Sequence, residues 1–328
     1  MKRIITLTAI AVLLAVASAT AQQIAVVSEG GETTVYQTLQ AAIEGASEGS
    51  VIYLPGGGFS LPDSVKISKR LAIIGIGHKS NNDNVDGITT ISGNLWFNQG
   101  SSGSAVMGCY ITGDINIGSD GAAVNYILIK YCNLNSAQIY NSTCQEMVVN
   151  QNIIRNMSAF GNSNSKISHN IIHSVWDVDG GFISYNILRD YGCRGSGYFS
   201  YRCITANNSI INDNIIIPYQ SNGGGNWDMY VYEGTNNYIN NNMSKMNFGE
   251  NPINIGSESW ENVFVQNGTD FHFKEAYQQY EGQVGVYADG VDFDKQMAPV
   301  PYIVAKRIAE ETDAAGQLKI QVRVKAGD

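Results

Sequence analysis

One short unit recurs through the middle of this chain: an apolar residue, a brief polar gap, an asparagine, and two residues that are usually apolar. It reads Ile167-Ser168-His169-Asn170-Ile171-Ile172, then Ile183-Ser184-Tyr185-Asn186-Ile187-Leu188, then Ile211-Asn212-Asp213-Asn214-Ile215-Ile216. Val149 to Ile154 and Ile239 to Ser244 are further copies. Upstream, Cys132 and Cys109 hold the asparagine position, and Asn94 opens the series. The column is therefore Asn94, Cys109, Cys132, Asn152, Asn170, Asn186, Asn214, Asn242, with spacings of 15, 23, 20, 18, 16, 28 and 28 residues. Helical arrays need a fixed, longer period and strong helix formers. Here β-branched residues accompany asparagine, glycine and serine, which predicts short strands joined by turns. All 33 asparagines fall between Asn81 and Asn267, so the repeat marks out one zone of the chain. Unequal spacing suits a β-helix: its strands keep register from coil to coil while its turns swell into loops. Asparagine suits the bend because it tolerates left-handed geometry. Stacked inside, its amide can bond the next one and satisfy a buried polar column.

The N-terminal part adds a second pattern. Thr38-Leu39-Gln40-Ala41-Ala42-Ile43 places Leu39, Ala42 and Ile43 on one face of a short helix. Val51-Ile52-Tyr53-Leu54-Pro55-Gly56 and Leu71-Ala72-Ile73-Ile74-Gly75 then read as strands. With the asparagine column, this stretch resembles the N-terminal coil of secreted bacterial right-handed parallel β-helix proteins of the pectin-lyase-like superfamily. The resemblance covers roughly residues 30 to 275. It implies an all-β fold: a right-handed parallel β-helix with a short N-terminal capping helix and a C-terminal strand cap. Capping is needed because an end coil would otherwise expose a sheet edge and the core.

The expected organisation is a signal peptide over 1–21, the solenoid over 22–275, and a cap or small appended β module over 276–328. Lys2 and Arg3, an apolar run from Ile4 to Ala17, and Ala19-Thr20-Ala21 form the export signal. They predict a secreted protein, periplasmic, cell-surface or extracellular, with no membrane span. In the tail, Tyr302 to Ala305 and Leu318 to Val324 read as two strands. Asn262 to Val265 through Asp270 to Phe273 resembles a closing coil. Five cysteines allow several arrangements. Cys193 and Cys203 could close an excursion as a disulfide, Cys109 and Cys132 read as stacked thiols, and Cys144 is left over.

Removing Lys2 and Arg3 takes the formal charge from −9 to −11. So acidic a chain lacks the basic surface that non-specific nucleic-acid binding requires. An anionic polymer would have to be met by a local basic patch or a bound cation.

The resemblance implies a superfamily of polysaccharide lyases and glycoside hydrolases, but a fold does not assign a function. The Asn-Thr-Asp, Asp-Asp and Gly-His-Gly clusters of polygalacturonases are absent, as is the Arg-x-Pro-x-x-Arg of pectate lyases. One constellation remains. Val175-Trp176-Asp177-Val178-Asp179 reads as a strand with Trp176 and Val178 inward and both carboxylates outward. Trp227-Asp228 repeats the motif two coils on, and Phe199-Ser200-Tyr201-Arg202 lies between. Stacking would gather Asp177, Asp179, Arg202 and Asp228 as a catalytic patch. Hydrolysis would use two carboxyls and no cofactor. Elimination would use a carboxylate-held Ca2+ with Arg202 as base. The same four residues also fit ordinary exposed surface pairs. Tyr198, Tyr201, Tyr219, Tyr230 and Tyr232 are candidate sugar-stacking residues on the longest repeats. His169 and His173 read as solvated turn residues. The expected function is recognition of an extracellular or cell-envelope polysaccharide, with cleavage by a hydrolase or lyase mechanism open. The competing expectation is a non-catalytic structural or adhesion protein that uses the solenoid as a rigid spacer.

Overall fold

A computed structural model of the chain describes residues 23–63, 65–79, 87–162, 164–189, 203–217, 232–266, 270–295, 302–312 and 318–325. The protein is a parallel β-helix with three faces. The first face is a sheet of 11 strands. From Val51–Tyr53 to Tyr238–Asn240 its strands are parallel and lie in register, one per coil. A second sheet of 13 strands folds around a corner to form the other two faces. Its long strands make the bend. The start of Ile171–Asp179 pairs with Ile187–Arg189, whereas its end pairs with Ile204–Asn207.

The N-terminal end is closed as expected. Helix α1, Leu39–Gly45, is capped by the Thr38 hydroxyl, which accepts from the Ala41 N–H at 3.1 Å. Lys69 holds its other end by donating to the carbonyls of Glu44 and Ala46 at 2.9 and 2.6 Å. Leu39, Ala42 and Ile43 are buried in the solenoid core. The antiparallel pair Ile24–Val27 and Thr33–Tyr36 covers the edge of the first sheet, with Ile24–Val27 lying against Val51–Tyr53.

The asparagine column is the first corner. Asn152, Asn170, Asn186, Asn214 and Asn242 are wholly buried. Each Nδ2 of the first four donates to the Oδ1 of the next at 3.0 Å. That same Oδ1 also accepts the backbone N–H of the asparagine before it, at 2.9–3.0 Å. The second amide hydrogen reaches a carbonyl of the coil, such as Val149 O from Asn170 at 2.8 Å. Every amide is therefore saturated without water.

Two details of the expectation are corrected. The left-handed residue is the one before the asparagine: Gly108, Tyr131, Gln151, His169, Tyr185, Asp213 and Asn241 all have positive φ. Asn94 does not open the column. Thr89 does, since Thr90 pairs with Tyr110 and so Thr89 stands beside Cys109. Thr89 Oγ1 accepts the Ile76 N–H at 3.0 Å. Asn94 sits at the next corner, where its Oδ1 accepts the Asp114 N–H. Cys109 and Cys132 are buried, unbridged thiols in the column. Burial pushes the Cys132 thiol up to about 12. It stays protonated and its Sγ donates to Lys130 O at 3.3 Å, a weak substitute for the amide. Cys144 is buried and unbridged too, and Cys193 lies outside the described residues.

After the last coil strand, Ile253–Asn254, the chain turns back along the outside of the solenoid. Helix α2, Trp260–Val263, leads into the antiparallel strands Phe264–Gln266 and Asp270–Phe273. This segment is not a closing coil: its strands pair with each other rather than with the coils. Phe264, Phe271, Phe273, Val284, Val286 and Phe293 pack as a second core against Ile187, Ile215, Ile217 and Met243, which face outward from the second face. Gly285 lies close enough that a Cβ there would stand 2.5 Å from Ile215 Cδ1. Its φ of +76° also favours glycine, and its N–H ties the segment to Asp213 O at 2.9 Å. At the C-terminus, Tyr302–Thr312 and Leu318–Lys325 form an antiparallel pair. No helix among the described residues is long and apolar enough to cross a membrane.

Candidate functional site

The two apolar residues after each column position have different fates. The second points into the solenoid, as Ile154, Ile172, Leu188 and Ile216 show. The first points outward. Ile187, Ile215 and Met243 are covered there by the C-terminal segment. On the preceding coils Ile153 and Ile171 are only half-buried at the edge of that second core among the described residues, and the outward side chains floor a groove of about 390 Å³.

The floor has two rows. Tyr110, Asn133, Ile153 and Ile171 stack in register on four successive coils. Beside them run Thr112, Asn135, Arg155 and His173. Arg155 and His173 are neighbours, flanked by the register pairs Ile154–Ile172 and Asn156–Ser174. Leu188 pairs with Ile172, so Arg189 stands one coil beyond His173. The guanidinium of Arg189 lies 5.8 Å from the Phe271 ring centre, where the C-terminal segment closes the groove.

His173 is half-buried on a strand, and His169 is buried, stacked on Tyr185 at 5.0 Å. Neither is the solvated turn residue that the sequence suggests. Burial, and then the charges of Arg155 and Arg189, push the His173 imidazole down to about 4. It is therefore neutral at physiological pH. In the unfolded chain it titrates near 6.5. Above that pH both states are neutral and nothing is lost. Between about 6.5 and 4 the unfolded state takes up a proton that the folded state refuses, so stability falls as pH falls. Chemical-denaturation curves should show this loss in the wild type and less of it in His173→Gln. His169, also lowered by burial, leaves a residual slope in the variant.

Of the residues expected to form a catalytic patch, Asp177 and Asp179 lie on the third face, around the corner from the groove. Asp177 is exposed and has a left-handed φ of 61°. That break in the strand shifts the register, so Val175 and Val178 face inward while Trp176 is partly exposed, contrary to the expected alternation. The Asp177 N–H donates to Thr205 Oγ1 at 2.7 Å, and Asp179 Oδ1 accepts from Asn208 Nδ2 at 2.7 Å. The strand stacked on them is Ile204–Asn207, followed by Tyr232–Glu233. Arg202, Asp228, Tyr198, Tyr201, Tyr219 and Tyr230 lie outside the described residues. Tyr232 is placed by its backbone pairing with Ile204. Among the described residues no three His, Cys, Asp or Glu side chains gather as a metal site.

The groove was not singled out from the sequence, although a signal was present. Three residues after successive column positions stand Thr112, Asn135, Arg155, His173 and Arg189. Compared with known protein families, curated proteins and solved structures, the chain finds no match.

Proposed function

We propose that this is a secreted solenoid of the pectin-lyase-like kind that binds an extracellular or cell-envelope polysaccharide in the groove of its second face. The observation that carries the reading is the paired floor: a row that is apolar except for Asn133, led by Tyr110, beside a row of hydrogen-bonding and cationic side chains. Sugar rings offer an apolar face and a rim of hydroxyls, and such a floor meets both at once. The repeat of about 4.8 Å from coil to coil supplies equivalent contacts along an extended chain. A binding groove on a rigid sheet also loses little conformational entropy when a ligand docks. Cleavage by Asp177, Asp179, Arg202 and Asp228 is the finer reading; of these, Asp177 and Asp179 stand on the face next to the groove.

Affinity electrophoresis of the full chain through gels containing soluble polysaccharides tests the binding. Retardation by at least one polymer is expected, weakened about tenfold or more in Tyr110→Ala, since a stacked ring contributes on the order of 1–3 kcal/mol. Migration unaffected by any polymer would favour the rigid spacer. Release of reducing ends, or of an ultraviolet-absorbing unsaturated product, would identify an enzyme.

A further inference from the structure

The chain carries a formal charge of −9, so an anion is attracted only where cations gather locally. The second row of the groove is such a place. Arg155, His173 and Arg189 stand on three successive coils, about 4.8 Å apart at each step. Among the described residues, the charges that reach the His173 ring are the guanidinium groups of Arg155 and Arg189. Cations gathered on a partly dehydrated surface repel one another, and an anion between them relieves that repulsion. Each guanidinium is a planar fork matched to two oxygens, and a neutral imidazole between them adds one N–H donor. Phe271 and the covered Ile187 and Ile217 bound the row on its far side and limit access of water.

We infer that Arg155, His173 and Arg189 form a subsite for an oxyanion, the carboxylate or sulfate of a charged sugar, at the closed end of the groove. The identification of the carrier as a sugar rests on the glycan reading above; the anion preference rests on the row itself.

Three soluble polymers separate the sources: hyaluronan carries only carboxylate, dextran sulfate only sulfate, and dextran neither. At low ionic strength the full chain should be retarded by one or both charged polymers and not by dextran. Arg155→Gln should weaken that affinity at least about tenfold, as expected for loss of a charge-assisted bond. Because Arg155 is exposed, this variant should fold normally, whereas Arg189→Gln serves as a second test. Independently, sodium acetate or sodium sulfate should shift the His173 ring resonances in the wild type and not in Arg155→Gln. Equal retardation by dextran, unchanged in Arg155→Gln, would overturn the oxyanion subsite and leave the glycan reading standing. A His173 shift with small anions but no retardation by any polymer would do the reverse. Absence of both the shift and retardation by the charged polymers would overturn the subsite.

Discussion

Replacing Asn170 by leucine should cost about 4 kcal/mol or more, close to the limit for a single substitution. The amide donates to Asn186 Oδ1, Val149 O and Ser168 O, and accepts from both the N–H and the Nδ2 of Asn152. Leucine has a similar volume but answers none of these groups. Each buried donor or acceptor left unanswered costs about 1–3 kcal/mol, and several are stranded at once. No water can replace the amide unless the coils part, because the site is fully buried. Asn135→Leu is the control: it lies on the second face, three residues after the column residue Cys132, exposed, with one side-chain bond to Asp114. Its effect should stay within about 1 kcal/mol. Denaturant unfolding of both variants measures the difference. Equal small losses would mean that the amides contribute nothing as a ladder.

The second large effect concerns the segment that turns back along the flank. Phe264 is fully buried and makes ring contacts with Trp260, Phe271 and Phe273 at 5.4–5.5 Å. Phe264→Ala should remove about 3–5 kcal/mol from this second core. The solenoid's own core is a separate cluster, so the loss should be local. Amides of 264–293 should then exchange much faster, while those of the coil strands at Val149, Ile167 and Ile183 remain protected. Faster exchange throughout the coils would mean that the segment and the solenoid unfold as one unit.

The coils and the N-terminal helix were legible because their signals are local: a buried amide every turn and an apolar face at helical spacing. The corner's left-handed residue was misassigned to asparagine because several residue types, from Tyr131 to Asp213, accept that conformation when the ladder holds the next residue. Trp176 was misplaced because Asp177 interrupts the alternation that strand patterning assumes. The groove was hidden for a different reason. Ile171 and Ile215 look the same in sequence, and the remote segment around Gly285 buries Ile215 fully while Ile171 stays half-buried at the edge of the second core. Contacts between residues so far apart in the chain leave no periodic trace.

The central claim is that ligand sits on the second face rather than beside Asp177. Binding of a retarding polysaccharide to Asn133→Trp and to Asp177→Asn tests it most directly. Asn133 faces the groove from the middle of its floor, so an indole there fills the groove without entering the solenoid core. The account predicts that Asn133→Trp loses binding with an unchanged melting temperature, while Asp177→Asn binds as the wild type does. Wild-type binding by Asn133→Trp together with loss in Asp177→Asn would contradict it and move the ligand to the third face.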